Sequence, residues 1–410
     1  MTGGNNIEKS LFELIQVAVG NQSALSSVPT QQEWQQLYGL LSKHTLHGIG
    51  FVAIQKLPEE QWPPKMLVQK WTSVATAILH QNKTLNEECK SLCEEFRHDG
   101  VASVVIKGQS NLENYPEELR WYRTPGDIDL WCQARNGVEI GEMVNGEVFK
   151  SEFHGIAGVI EYCKQYERCR GRDIPWHLVL YYHCELKSDK GFAIEPHYRI
   201  SYLHSPVRNH RLQKWFKNQF DVCLQNKCQL GFPVLTPSAN VVYQLVHLYR
   251  HVFEGGVGLR QLMDYYFALR VWHNDVMECK DLQSQGMWSE GLGTAVMSPS
   301  EVMAVLRSFG MGKFASAVMY VLHEVFAMPT HYYICEPNER EGRKLLKEIM
   351  QGGNFGQYDT RDAALKKGGV IKHGIWKLKR VMRLVGSYPE EALWEPVFRV
   401  YHLGWRTIHN

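Results

Sequence analysis

The pattern of apolar and polar positions divides the chain into three parts. Residues 5–97 place apolar side chains at helical spacings. From residue 101 the apolar runs become short and β-branched, which predicts strands in VASVVI, DIDLWC, HLVLYYHCEL and GFAIEPHYRI and a helix in IAGVIEYCKQY. Helical periodicity returns after Pro237. The predicted fold class is α+β, with a mixed β-sheet core flanked by N-terminal helices and a C-terminal helical domain.

Chain length and pattern together predict three domains. A chain of 410 residues exceeds one typical domain. The boundaries give an N-terminal helical region at 1–97, a sheet domain at 98–235 and a C-terminal helical domain at 236–410. In the last of these, Ser298 followed by Pro299 and Glu301 predicts the capped start of a helix.

Composition and charge argue against a membrane-spanning or secreted protein and against one that binds nucleic acid through its overall charge. Hydrophobic residues make up 44% and charged residues 21% of the chain, as in ordinary globular proteins. The formal charge of +2 provides no overall field that recruits nucleic acid or membranes. Ten cysteines without a C-x-x-C pair, and the lack of a signal-like or membrane-spanning run, predict a cytoplasmic protein with no membrane partner. The pattern does not predict the oligomeric state.

Two carboxylates in the predicted strand DIDLWC are the strongest chemical signal. Side chains alternate along a strand, so Asp127 and Asp129 share one face. Paired carboxylates beside a glycine turn suit a divalent metal that binds phosphate. The alternative is structural, because Pro125-Gly126-Asp127 also has the composition of a turn that Asp127 caps.

A third acid, Glu195, lies within the apolar strand GFAIEPHYRI. A charged residue there is costly unless it is paired or bound to metal. By alternation His197 and Arg199 share its face, which makes them candidates around the site. The alternative is an edge strand with Glu195 in solvent, which Pro196 favours because proline is usually confined to edges.

Basic and small residues precede the two aspartates. Lys107-Gly108-Gln109-Ser110 ends the predicted strand VASVVI, where a glycine lets the backbone approach phosphate. An ordinary turn is the alternative reading. Arg123 is a candidate to neutralise a triphosphate, with an exposed surface arginine as its alternative.

These motifs together resemble the bacterial uncharacterised nucleotidyltransferase family, within the polymerase-β-like nucleotidyltransferase superfamily. The segment from Ile106 to Leu130 carries the specific part of the resemblance, and the later helical segment with His247, His251, Arg260 and Asp264 resembles the family more weakly. The departures are Gln109 between glycine and serine, a long gap before Asp127, and Glu195-Pro196 where an aspartate without the proline is common. The matching residues are Ile106-Lys107-Gly108, Tyr115-Pro116, Arg123, Gly126-Asp127-Ile128-Asp129-Leu130, Glu195-Pro196-His197-Tyr198-Arg199, His247, His251, Leu259-Arg260 and Asp264.

The resemblance implies Mg²⁺-dependent transfer of a nucleoside monophosphate from an NTP to an acceptor, with release of pyrophosphate. It implies two Mg²⁺ ions held by Asp127, Asp129 and Glu195. For Glu195 the resemblance leaves a second role open, that of a base toward the acceptor hydroxyl. Acceptors of such folds include small hydroxylated molecules, protein side chains and RNA ends, and the sequence does not choose among them. The implied nucleotide-binding residues are Lys107, Gly108, Ser110 and Arg123.

The helical residues of the resemblance have two readings. His247 and His251 lie four apart on one helical face and are candidate metal ligands, but without the acid of an H-E-x-x-H motif the pattern favours packing and hydrogen bonding between the helical domain and the sheet. Arg260 and Asp264 are candidates for the acceptor side of the site, or simply an i,i+4 ion pair.

Two other functions remain open from the sequence. The Glu195-Pro196 departure and the altered glycine–serine motif are also expected of a catalytically degenerate protein that binds a nucleotide or a partner. The same carboxylates acting on water would make a metal phosphohydrolase, which releases phosphate without an acceptor.

Overall fold

The computed structural model describes residues 3–144, 147–175, 178–284, 296–366 and 368–409. Its α+β architecture, with a small mixed sheet and many helices, confirms the predicted fold class. The chain forms two compact units. The first comprises residues 1–83, 114–124 and 240–387, and the second comprises residues 84–113, 125–239 and 388–410. The division into three domains stays a prediction.

The first unit consists of helices, and further helices lie between and after the strands of the second unit in the sequence. Within the described residues none combines the length and apolarity that a membrane crossing requires. The helices are α1 (Gly3–Val19), α2 (Gln31–Lys43), α3 (His47–Lys56), α4 (Lys65–His98), α5 (Glu117–Arg120), α6 (Gly155–Arg168), α7 (Pro206–Lys217), α8 (Phe220–Gln225), α9 (Pro237–Glu254), α10 (Leu259–Ser284), α11 (Pro299–Ser308), α12 (Gly312–Phe326), α13 (Glu339–Gly352), α14 (Ala363–Lys366), α15 (Val370–Val385) and α16 (Pro389–His409).

The predicted helix start at Ser298 is confirmed. The Ser298 side chain accepts a hydrogen bond from the Glu301 backbone N–H, and the Glu301 carboxylate accepts one from the Ser298 backbone. This reciprocal pair satisfies two N–H groups that the first turn of α11 leaves without helical partners.

Within the described residues, the sheet of the second unit has five strands: β1 (Val101–Val105), β2 (Ile128–Val144), β3 (Glu147–His154), β4 (Leu186–Lys187) and β5 (Ala193–His197). Their order is β1-β2-β5-β4, with β3 also paired to β2. β2 and β5 run parallel, whereas the other pairs are antiparallel. One face of the sheet buries apolar side chains such as Val105, Leu130 and Ile194 in the core of this unit. The opposite face is thereby left for the polar residues of β2 and β5.

Several predicted elements need correction. The strands in VASVVI and GFAIEPHYRI and the helix in IAGVIEYCKQY are confirmed, and β2 extends well beyond DIDLWC. The strand in HLVLYYHCEL is wrong for most of its length. There the Leu180 N–H donates to the His183 carbonyl, so the chain turns back on itself, and from residue 178 onward the strand is confined to Leu186–Lys187. The edge-strand alternative for Glu195 is also wrong, because β5 lies between β2 and β4.

Candidate active site

The parallel pairing of β2 and β5 sets two carboxylates side by side. Asp129, on β2, has Glu195 of β5 as its register partner. Asp127 directly precedes β2, and alternation places its side chain on the side of Asp129. One ligand atom from each of these three carboxylates lies within 4.8 Å of the other two. The structure thus brings the three predicted acids together, and we call Asp127, Asp129 and Glu195 the acid cluster.

The ammonium of Lys107 lies among these carboxylates. Lys107 lies two residues after the end of β1. The intervening residue, Ile106, donates its backbone N–H to the Asp129 carbonyl and so holds this segment beside β2. The Lys107 Nζ is 2.7 Å from Asp129 Oδ1, 3.8 Å from Glu195 Oε2 and 3.9 Å from Asp127 Oδ2. One positive charge therefore faces three acidic groups.

Burial and charge act differently on the two acids within the sheet. Burial raises the pKa of Asp129 well above its ordinary value, the Asp127 charge adds to this, and Lys107 opposes it. Burial also disfavours the charged form of Glu195, but Lys107, His183 and His197 outweigh it and hold the pKa of Glu195 well below its usual range. The two shifts make Glu195 the more acidic group of the pair; Asp129 is fully buried, whereas Glu195 is 21% exposed.

Two histidines border the acid cluster. The His197 Nε2 lies 2.9 Å from Asp129 Oδ1 and 3.4 Å from Glu195 Oε2. His183 pairs with His197 across an isolated β-bridge, and its Nε2 lies 3.9 Å from Glu195 Oε2. Both imidazoles are buried. The sequence pattern placed His197 on the face of Glu195, but it missed His183.

A signal for His183 was nevertheless present. β4 and β5 pair Leu186 with Ile194 and so fix a register. The same register, continued past the end of β4, places His183 opposite His197. The position of His183 therefore follows from the sequence once the pairing of β4 with β5 is known.

The acid cluster fits a divalent metal such as Mg²⁺. Hard cations of this kind prefer carboxylate oxygens. The Asp129 Oδ2 atom is buried and has no hydrogen-bond partner among the described residues. A buried carboxylate oxygen in that state is costly, and a bound cation would satisfy it. The cation would also favour the ionised form of the three acids.

The Gly108–Ser110 turn approaches the same cluster. Gly108 has φ +65°, and a Cβ there would lie 3.4 Å from the Asp127 carbonyl oxygen. Glycine adopts this left-handed conformation without steric cost. Ser110 is buried, and its Oγ has no hydrogen-bond partner in the described part of the chain. Contacts of Gly108 and Ser110 with phosphate stay a prediction.

Arg199 has a packing environment of its own in the second unit. Its guanidinium lies 4.2 Å from the Tyr181 ring centroid and 5.5 Å from that of Trp405. It also donates a hydrogen bond to the Tyr181 carbonyl. These contacts explain Arg199 through cation–π packing, and its predicted place around the site stays a prediction.

Other predicted residues belong to the first unit. Arg123 is buried there and donates from Nε and Nη2 to the Asp264 carboxylate at 2.6 and 2.7 Å. The Tyr115 hydroxyl donates to the same carboxylate at 2.6 Å. The exposed-arginine alternative is therefore wrong. Arg260 donates from Nη1 to the Thr124 carbonyl at 3.0 Å.

His247 and His251 also lie in the first unit, on α9. Their Nε2 atoms are 3.1 Å apart, and the His251 ring packs against Phe355. The groups of three or more metal-ligating side chains found among the described residues do not include this pair. Their contacts agree with packing and hydrogen bonding.

A family model described as uncharacterised nucleotidyltransferase matches residues 30–286. The chain belongs to this uncharacterised nucleotidyltransferase family. The match spans more than half of the chain and includes the acid cluster together with Lys107, His183 and His197. No curated protein and no solved structure matches the chain. Family membership supports nucleotidyl transfer as the general activity.

Proposed function

We propose that this nucleotidyltransferase-family protein moves a nucleoside monophosphate from an NTP to an acceptor in a Mg²⁺-dependent reaction. The observation that carries the proposal is the acid cluster, in which Asp129 and Glu195 are register partners on parallel strands and Asp127 joins them. Three converging carboxylates are a ligand set for metal ions that bind a triphosphate.

Asp127, Asp129 and Glu195 would hold the Mg²⁺, for which two ions are expected. When bound, Mg²⁺ would neutralise charge on the phosphates and orient the triphosphate. We assign Glu195 to metal binding rather than to the role of base. A carboxyl group whose pKa is held well below its usual range is ionised and is a weak proton acceptor.

Lys107, Gly108 and Ser110 would serve the phosphates. The Lys107 ammonium is close enough to the acid cluster to add positive charge beside a triphosphate bound there. The Gly108 backbone lies against the Asp127 carbonyl, and the Ser110 hydroxyl is available to donate a hydrogen bond. Arg123 keeps a proposed role in nucleotide binding that rests on the resemblance alone.

The reaction follows from this assignment. The acceptor oxygen forms a bond to the α-phosphorus, while the bond between that phosphorus and the oxygen bridging to the β-phosphorus breaks. Pyrophosphate leaves with the electron pair, and the acceptor proton passes to solvent. Catalysis of this kind relies on positioning and on neutralising charge.

The test follows an α-phosphate label and pyrophosphate together. Each labelled NTP is offered with Mg²⁺ and, separately, an aminoglycoside, a protein hydroxyl substrate and an RNA with a free 3′ end. The proposal predicts that label enters one acceptor in step with pyrophosphate release. It predicts that Asp127→Asn with Asp129→Asn abolishes both, whereas Asp189→Asn, an exposed aspartate on the β4–β5 turn, changes neither.

The same assay separates the other two functions. Phosphate release without an acceptor would identify a phosphohydrolase and contradict nucleotidyl transfer. A protein that binds nucleotide, yet releases neither product with any acceptor, would be the catalytically degenerate form. Equal pyrophosphate release by the wild type and the double variant would remove the acid cluster from the reaction.

A further inference from the structure

On the side of the acid cluster toward β4, two histidines lie close to the Glu195 carboxylate. His183 and His197 are bridge partners, and Glu195 lies two residues before His197 on the same strand face. One ligand atom from each of His183, Glu195 and His197 lies within 4.8 Å of the other two. These three side chains form a group that shares Glu195 with the acid cluster.

The separations in this group approach those of a metal site. The Glu195 Oε2 lies 3.4 Å from His197 Nε2 and 3.9 Å from His183 Nε2. Ligands of a tetrahedral Zn²⁺ site, with bonds of about 2.0–2.1 Å, lie about 3.3 Å from one another. To close around one ion, the His197–Glu195 separation would shorten by about 0.1 Å and the His183–Glu195 separation by about 0.6 Å.

The type of ligand decides which ion fits. Imidazole nitrogen suits Zn²⁺ and neighbouring transition metals, whereas Mg²⁺ prefers an all-oxygen set. The acid cluster offers oxygen only, but the second group offers two nitrogens and one oxygen. Because a carboxylate has two oxygens, Glu195 has enough acceptor atoms to serve both groups.

We propose that His183, Glu195 and His197 form a transition-metal site, represented by Zn²⁺, next to the all-oxygen position of the acid cluster. The proposal deepens the proposed function and rests on it for the role of the neighbouring Mg²⁺ position. The transition metal would fix the position of Glu195 and thereby the edge of the acid cluster.

The alternative is that the two imidazoles act only by hydrogen bonding. His197 lies within hydrogen-bond distance of Asp129, so it is able to orient that carboxylate without a metal. On this alternative the protein has no preference for Zn²⁺, and substitution of His183 leaves Zn²⁺ binding unchanged.

The test is equilibrium dialysis of untagged, chelator-treated protein against buffered Zn²⁺ in excess Mg²⁺, with metal content read by mass spectrometry. The proposal predicts about one tightly bound Zn²⁺ per chain. His183→Gln should weaken it by about 100-fold or more, since loss of a partner outside the ligand set already costs about 10- to 100-fold. His210→Gln is the matched control, because His210 is an exposed histidine of the same unit.

Asp127→Asn separates this proposal from the proposed function. Asp127 lies outside the His183 group, so the variant should keep Zn²⁺ while it loses Mg²⁺-dependent nucleotide binding. Retained Zn²⁺ in a wild-type protein that binds no nucleotide would overturn only the proposed function. Equal Zn²⁺ affinity in wild type and His183→Gln would overturn only the metal site.

A spectroscopic measurement on the wild type guards against misfolding of the His183 variant. Co²⁺ in a four-coordinate site with nitrogen ligands absorbs visible light much more strongly than six-coordinate Co²⁺ bound to oxygen. Strong absorption that one equivalent of Zn²⁺ removes supports the site. Weak absorption typical of oxygen ligands contradicts it.

Discussion

Replacing Lys107 with methionine would expose the electrostatic cost of the acid cluster. Methionine keeps much of the length and apolar stem of lysine but has no charge. The change removes an ammonium 2.7 Å from the fully buried Asp129 and within 4 Å of the other two acids. We expect the variant to be less stable without divalent cations and to regain stability when Mg²⁺ is added.

The size of the stability loss in Lys107→Met follows from the burial of the Lys107–Asp129 pair. Removing one partner of a buried ion pair costs about 3–5 kcal/mol, and the 17% exposure of Lys107 favours the lower end, about 3 kcal/mol. For a cooperative unit of roughly 150–250 residues, this lowers the melting temperature by about 6–12 °C. Mg²⁺ at 100 times its Kd would restore about 2.7 kcal/mol.

The assay is a thermal melt of Lys107→Met and wild type in chelator and in Mg²⁺. Lys164→Met is the control, because Lys164 forms an ordinary i,i+3 pair with Glu161 worth at most about 1 kcal/mol. Mg²⁺ should raise the melting temperature of Lys107→Met more than that of wild type. Equal melting temperatures of Lys107→Met and wild type in chelator, or an equal rise of both melting temperatures with Mg²⁺, would refute this reasoning.

Three further predictions concern single residues. Glu195→Gln should reduce pyrophosphate release more than nucleotide affinity measured by thermal shift, and unchanged turnover would remove Glu195 from the site. Burial and the Lys43 charge lower the pKa of His44 to about 3, so unfolded chains take up a proton near pH 6.5 that the folded protein excludes. Stability should therefore fall as the pH drops from about 6.5 toward 3, by about 5 kcal/mol, and His44→Gln should flatten this slope in acid melts. Gly48→Ala places a Cβ 2.1 Å from a backbone oxygen and should destabilise by about 1–3 kcal/mol, whereas Gly39→Ala, in open space on α2, should stabilise by about 0.5–1 kcal/mol; similar chemical-denaturation midpoints for both would contradict this.

Local rules accounted for part of the acid cluster. The shared face of Asp127 and Asp129 follows from strand alternation, which depends only on neighbouring residues. The approach of Glu195 to Asp129 depends on a parallel pairing that spacing does not determine. Pro196 pointed to an edge strand, yet proline lacks only the N–H, and its carbonyl accepts a hydrogen bond from the Cys184 backbone.

Long-range contacts were beyond a reading of local pattern. Arg123 and Asp264 pair across 141 positions of the chain, so no periodicity connects them. The spacing instead suggested a pair within one helix, of Arg260 with Asp264. Charged side chains with several partners in reach are assigned by the tertiary fold.

The extended hairpin of β2 and β3 was missed for a different reason. The segment after DIDLWC alternates apolar and polar residues less regularly than the buried strands do. An Asn-Gly pair at 145–146, which lies outside the described residues, is a strong hairpin signal in the sequence. The prediction stopped at the end of the apolar run and so shortened β2.

The most direct test of the central claim is a thermal shift with ATP, GTP, CTP and UTP, with and without Mg²⁺, on wild type and on Asp127→Asn with Asp129→Asn. A ligand that binds only the folded protein raises its melting temperature by mass action. We predict that at least one nucleotide stabilises the wild type only when Mg²⁺ is present, and that the double variant loses this stabilisation while it melts normally without ligand. The same shift in both proteins, or none with any nucleotide, would contradict a metal–nucleotide site at the acid cluster.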